Sequence, residues 1–129
     1  MKYPRAHHTA TLLHDGKVLV TGGSNNDDVW LRTAELYDPI KGTWSLVEDM
    51  HFKRLAHTAS LLSGGKVLVV DGLLDVLNST ELYDPLTGIW SIARTMKKPR
   101  MDHTASILMN RSVLVIGGTN SKYNTIEIY

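Results

Sequence analysis

The 129-residue chain contains no cysteine. That rules out disulfide staples, thiolate metal ligands and a thiol nucleophile within it. It also lacks any run near the roughly 18 apolar residues of a membrane span. Residues 1–5 have none of the apolar core of a secretory leader, so neither a membrane segment nor an export address is expected. Charge of one sign is missing too: 14 basic residues stand against 13 acidic ones, for a formal net charge of +1. With the two signs mixed along the length, no basic face exists to release counterions, and nucleic acid is not an expected partner. No catalytic triad, phosphate loop or paired carboxylates stand out. What remains is an ordinary apolar fraction of 43% and ten glycines, consistent with one small globular domain.

The glycines belong to a repeat. Residues 5–23 run Arg-Ala-His-His-Thr-Ala-Thr-Leu-Leu-His-Asp-Gly-Lys-Val-Leu-Val-Thr-Gly-Gly, and related text returns at 54–72 and 100–118. The opening arginines, Arg5, Arg54 and Arg100, set a period of 49 and then 46 residues, which marks a repeat architecture. In each copy an alternating segment (7–13, 56–62, 102–108) predicts a strand. Asp15-Gly16 and Gly64-Gly65 predict tight hairpins with positive φ at both turn positions, a turn that Asn110-Arg111 suits less well. The second strands (17–21, 66–70, 112–116) are nearly all apolar and β-branched, as when both faces are covered. Gly22-Gly23 and Gly117-Gly118 end two of them. The middle copy has Asp71-Gly72, where the aspartate is expected to weaken the close approach that glycine allows.

Irregular loops follow at 24–32, 73–78 and 119–124, the first three residues longer than the others, a change that a loop absorbs cheaply. Third strands carry Glu35-Leu36-Tyr37-Asp38, Glu81-Leu82-Tyr83-Asp84 and Glu127-Ile128-Tyr129. Two continue through Asp-Pro-x-x-Gly turns into fourth strands with Trp44 and Trp90. These units of about 46 residues, with Gly-Gly, Tyr-Asp-Pro and Gly-x-Trp in that order, resemble the kelch repeat over essentially the whole chain. The WD dipeptide of the shorter propeller repeat is absent.

The resemblance implies an all-β fold: a partial kelch-type β-propeller of about two and three-quarter four-stranded antiparallel blades. Residues 1–129 would form a single arc, with blades at 5–49 and 54–95 and an incomplete blade at 100–129. Each blade needs a neighbour on both faces, which propellers supply by closing a ring. Residues 1–5 echo 96–100, so the chain starts inside a loop, and it stops before a third Trp. The expectation is a piece of a longer propeller, with self-association through uncovered blade faces as the second reading.

His8, His57 and His103 recur in phase. They suggest either a metal site near the axis or a structural bond from ring nitrogen to backbone between blades, and recurrence favours the latter. No metal or cofactor site is assigned. Trp44, Trp90, Tyr37, Tyr83 and Tyr129 also recur and read as core aromatics. The arginines read as structural. Kelch adaptors of ubiquitin ligases hold acidic peptides with basic residues before the inner strand, but here those positions are His7, Ala56 and Asp102. The non-repeating residues are the better candidates for binding: His7 and Asp102, Asn25, Asn26, Asp27, Asp28, Trp30 and Arg32 in the long loop, Asp75 and Asn78 in the second, and Lys122, Tyr123 and Asn124 in the third. Asn25 to Asp28 could offer oxygen ligands to a hard cation, yet their spacing matches no calcium loop.

The functional expectation is a non-enzymatic interaction module that presents these loops to a protein, peptide or glycan. The alternative implied by the resemblance is part of a kelch-propeller enzyme, like galactose oxidase or sialic acid mutarotase. The former would imply copper held by Tyr and His with a Tyr–Cys crosslink, and this chain has no Cys.

Overall fold

The structure, a computed structural model, describes residues 1–72, 78–119 and 125–129. Among these the regular elements are eleven strands: β1 (Thr9–Leu12), β2 (Val18–Thr21), β3 (Ala34–Asp38), β4 (Thr43–Leu46), β5 (Thr58–Leu61), β6 (Val67–Val70), β7 (Thr80–Asp84), β8 (Ile89–Ile92), β9 (Thr104–Ile107), β10 (Val113–Ile116) and β11 (Ile126–Ile128). They pair antiparallel in chain order as three sheets, β1 to β4, β5 to β8 and β9 to β11. β5 touches β1 on one side and β9 on the other, so the sheets stand side by side with their first strands innermost. The result is an arc of a β-propeller.

β6 shows why the second strand of each unit is apolar on both faces. Val67 and Val69 pack with Leu13, Leu19 and Met50 of the first unit. Leu68 and Val70 pack with Val113 and Val115 of the third. Since alternate side chains leave a strand on opposite faces, one run of four fills two cores, and all four are buried.

The hairpins differ from the sequence expectation. Leu13 N–H donates to Lys17 O, and Gly16 N–H donates to Leu13 O, which closes a three-residue loop with only Gly16 at positive φ (81°). That is a type I turn followed by a left-handed residue, the three-residue alternative to the two-residue primed turn. Leu62 to Lys66 and Leu108 to Ser112 repeat it. In the third copy Arg111 takes the left-handed position at φ 70°, and Asn110 Oδ1 accepts from the Ser112 N–H at 3.1 Å.

The glycine pairs sit where sheets meet. A Cβ on Gly22 would stand 2.5 Å from Arg54 O and 2.8 Å from His57 Cε1 of the next unit, so no other residue fits without displacing that unit. Asp71 occupies the equivalent position at φ 45°. It does not simply weaken the joint: its Oδ2 accepts from the Arg100 N–H of the next unit. Burial pushes its carboxyl above the usual carboxylate range, against that hydrogen bond.

Candidate interaction surface

The arginine and glutamate that recur in every unit are held in structural bonds. Arg54 is buried, with Nη1 donating to Asp71 O at 2.9 Å and Ser79 O at 3.1 Å, and Nη2 donating to Glu81 Oε1 at 3.0 Å. Glu81 also accepts from the His51 N–H at 2.8 Å and the Phe52 N–H at 3.2 Å. Arg5 with Glu35, and Arg100 with Glu127, repeat this pin between the inner-strand approach and the third strand. Around Glu35, burial pushes the carboxyl upward, but the Lys2 and Tyr3 N–H groups and the Arg5 guanidinium outweigh it and hold it below the usual range. Burial lowers the Arg54 pKa, with Glu81 opposing.

The histidines bridge sheets, though through hydroxyls instead of the backbone. His57 Nε2 lies 2.8 Å from Thr9 Oγ1 and 3.2 Å from Thr21 Oγ1, and His103 Nε2 lies 2.9 Å from Thr58 Oγ1. A short hydroxyl on the neighbouring inner strand reaches the ring where backbone groups are already paired in the sheet. Burial lowers the His57 pKa to about 3, helped by the Arg54 charge, and lowers that of His103 to about 4, helped by Arg100. Both rings are therefore neutral near pH 7. His8 has the same sequence position and is exposed.

His7, Ala56 and Asp102 share one left-handed backbone conformation, with φ of 53°, 52° and 53°. They form a backbone chain across the sheets: Ala56 N–H donates to His7 O at 3.3 Å, and Asp102 N–H donates to Ala56 O at 3.2 Å. The His7 and Asp102 side chains are exposed on either side of Ala56. A two-way backbone pair between Ala6 and Ser24 sets the 24–32 loop beside this ledge. In that loop Asn25 Oδ1 accepts from the N–H groups of Asp27 (3.0 Å) and Val29 (2.9 Å), so its carboxamide oxygen shapes the turn. Asn26, Asp27 and Asp28 are exposed, and Trp30 is half-buried, bridged to Ser24.

Arg32 and Asn78 lie further out. Their carbonyls accept from the N–H groups of Met50 and Met96, residues that follow the fourth strands. Arg32 Nε is 3.3 Å from Asp49 Oδ2, and Asn78 is half-buried at φ 73°. Asp75, Lys122, Tyr123 and Asn124 lie outside the described residues. The structure thus gathers His7, Asp102 and the 25–30 loop at the inner part of one rim and sets Arg32 and Asn78 at its periphery.

The opposite rim carries a hollow of about 300 Å³, lined by Leu13, His14, Asp15, Lys66, Asp84 and Leu86 among others. Sequence reasoning did not single it out, because it forms where hairpin and Asp-Pro turns of two units converge and no single segment signals it. Lys66 Nζ and Asp84 Oδ2 pair across its wall at 3.1 Å.

A row of antiparallel sheets with such joints defines a β-propeller arc. Residues 4–51 match the kelch motif model. A copper-bound fungal alcohol oxidase of the AA5 family is similar in structure, with a TM-score of 0.78 at 19% identity. The match covers 93% of this chain and 29% of that chain. No curated protein matches the chain in sequence.

The residues present do not fit a Tyr–Cys copper centre. Cysteine is absent, the Nε2 atoms of His57 and His103 are bonded to threonines between sheets, and Tyr83 is buried against Trp90. Among the described residues no group of three or more His, Asp or Glu side chains could hold a metal ion.

Proposed function

We propose that this kelch-repeat arc is a non-enzymatic interaction module, whose ligand is a protein, peptide or glycan segment laid across the inner rim. The observation that carries the reading is the division of labour among its polar side chains. Most of those recurring in each unit are bonded inside or between sheets, the three arginine–glutamate pairs and His57 and His103 among them, with exposed His8 the exception. The non-repeating ones, His7, Asp102, Asp27 and Asp28, stand exposed on one rim beside half-buried Trp30. A rigid scaffold with an aromatic anchor among adaptable polar loops suits recognition better than bond-making chemistry.

The test is selection of ligands from a displayed peptide library and a glycan array, followed by affinity measurement on variants. Trp30→Ala and His7→Ala are expected to weaken a selected ligand about tenfold or more, as for anchor residues. His14→Ala on the opposite rim should leave binding unchanged. The reverse pattern would move the site to the turn-side hollow.

The oxidase neighbour supports a second reading, in which the arc belongs to a larger kelch-propeller enzyme. That reading requires the catalytic groups to come from outside these 129 residues. Copper titration with oxygen uptake on alcohols and sugars separates the two: stoichiometric copper with turnover by this chain would displace the interaction reading.

A further inference from the structure

The turn-side hollow lies between the first two units, each of which has all four strands, so the outer flanks of the arc play no part in it. Leu13, on its wall, belongs to the buried core that these two units share with Val67 and Val69. Pro85 and Leu86 supply a second apolar side. Leu86 is 96% exposed, although the second unit has a neighbour on either side. Its turn is fixed by Asp84, whose Oδ1 accepts from the Leu86 N–H at 3.0 Å. A third side is Gly64-Gly65, where the missing side chains leave backbone open to an occupant.

The charges around the hollow cancel. Lys66 Nζ pairs with Asp84 Oδ2 at 3.1 Å, and Asp15 accepts from Lys17 through both oxygens, Oδ2 from Nζ at 2.7 Å and Oδ1 from the backbone N–H at 3.1 Å. These bonds hold both carboxyls below the usual range, chiefly the Lys17 ammonium for Asp15 and the Leu86 N–H for Asp84. An anion or a cation entering here meets no unpaired charge of the opposite sign. Of the polar side chains on the wall, His14 alone has no hydrogen-bond partner among the described residues. Its ring lies along the glycine side, with Nδ1 at 3.6 Å from where a Cβ on Gly65 would stand.

We propose that this hollow binds a small uncharged ring carrying one hydroxyl, a phenol. The ring packs against Leu13, Leu86 and the Gly64-Gly65 backbone, and the hydroxyl bonds to a His14 ring nitrogen, which can accept or donate. A phenol has the apolar body and single polar tip that such a wall calls for. The volume of about 300 Å³ stands at the small end of ligand sites and limits the occupant to one ring. The site is separate from the inner-rim surface, and either can fail without the other.

Amide NMR titration of the chain with p-cresol is the test. Saturable shifts are expected around His14, Gly64, Gly65 and Leu86. Toluene, without the hydroxyl, should bind about fivefold more weakly, the worth of one net hydrogen bond. The charged analogues p-toluate and benzylamine should produce no shifts there. His14→Ala should bring p-cresol down to the affinity of toluene while leaving toluene unchanged, a split that a merely structural role does not give. Leu86→Asp should weaken both ligands. Ile40→Asp, at the same position of the Asp-Pro turn in the first unit and 92% exposed, should weaken neither. N-acetyl-tyrosine amide separates two sources of the ring: binding tighter than p-cresol assigns it to a tyrosine of a partner segment, and weaker binding to a free phenol. Absence of saturable shifts, shifts centred away from the hollow, p-toluate binding as tightly as p-cresol, or a His14→Ala chain that still prefers p-cresol to toluene overturns the proposal.

Discussion

Trp44 and Trp90 occupy the same position in two copies of one repeat, each stacked on its own tyrosine with ring centroids 5.0 Å apart, yet one is 38% exposed and the other 3%. The difference is the neighbour. Trp90 has the first unit against it, and its indole Nε1–H donates to Glu48 O at 2.8 Å. No preceding sheet covers Trp44. The second strands behave alike, β6 being buried throughout while β10 is buried at only two of four positions. In such an array the repeat sets the backbone of each sheet, but adjacency sets how much a side chain contributes. Stability is then a sum of unit and joint terms.

The middle and outer units should therefore respond unequally to matched substitutions. The largest effect is expected at the buried Arg54–Glu81 pin. Arg54→Met leaves buried Glu81 without its guanidinium, with only the His51 ring still against its other oxygen, and losing one partner of such a pair costs about 3–5 kcal/mol. Arg100→Met should cost less, because Glu127 keeps 12% exposure and can be reached by water. Adding Glu81→Leu to Arg54→Met should recover only part of the loss, since the N–H groups of His51 and Phe52 then lose their acceptor. Urea denaturation checks the order, and equal losses at Arg54 and Arg100 would break the comparison.

Next in size is the tryptophan pair. Trp90→Ala removes a filled core position and one buried hydrogen bond, for about 3–5 kcal/mol. Trp44→Ala, with much of its ring already in water, should cost about a third of that.

Strand order, blade count and the burial of β6 on both faces were legible in the sequence because the repeat dictates them, whereas β10, expected to be buried alike, is buried at only two of four positions. Two features were not. The hairpins containing Asp15-Gly16 and Gly64-Gly65 use three-residue loops with one left-handed residue, and dipeptide chemistry alone does not separate these from two-residue turns. Trp44 read as a core residue because sequence reports its phase in the repeat, whereas its exposure depends on the presence of a neighbouring sheet. At the candidate surface, non-repetition pointed to His7, Asp102 and Trp30, but not to the shared left-handed backbone at 7, 56 and 102, since His, Ala and Asp have no common signature for it. Arg32 and Asn78 looked like loop-tip residues, yet their carbonyls are tied to Met50 and Met96 after the fourth strands. Those long-range bonds leave no trace in local sequence.

A further expected effect concerns the joints themselves and is read by pH. His57 and His103 have pKa values lowered from 6.5 to about 3 and about 4, with burial the main cause. Between those values and 6.5 the unfolded chain binds protons that the folded one refuses, so stability falls as pH falls. The stabilising contribution is fully present above 6.5. At pH 5 it is reduced by about 2 kcal/mol for each histidine, from 1.5 pH units at 1.36 kcal/mol each. Denaturation midpoints measured from pH 7.5 to 5 should therefore drop steadily. His57→Gln keeps a donor for Thr9 but cannot titrate, so it should remove about half of that slope while His103 supplies the rest. An unchanged slope in that variant would mean that the proton uptake lies elsewhere, and that the ring between the first two sheets is not held neutral by its burial.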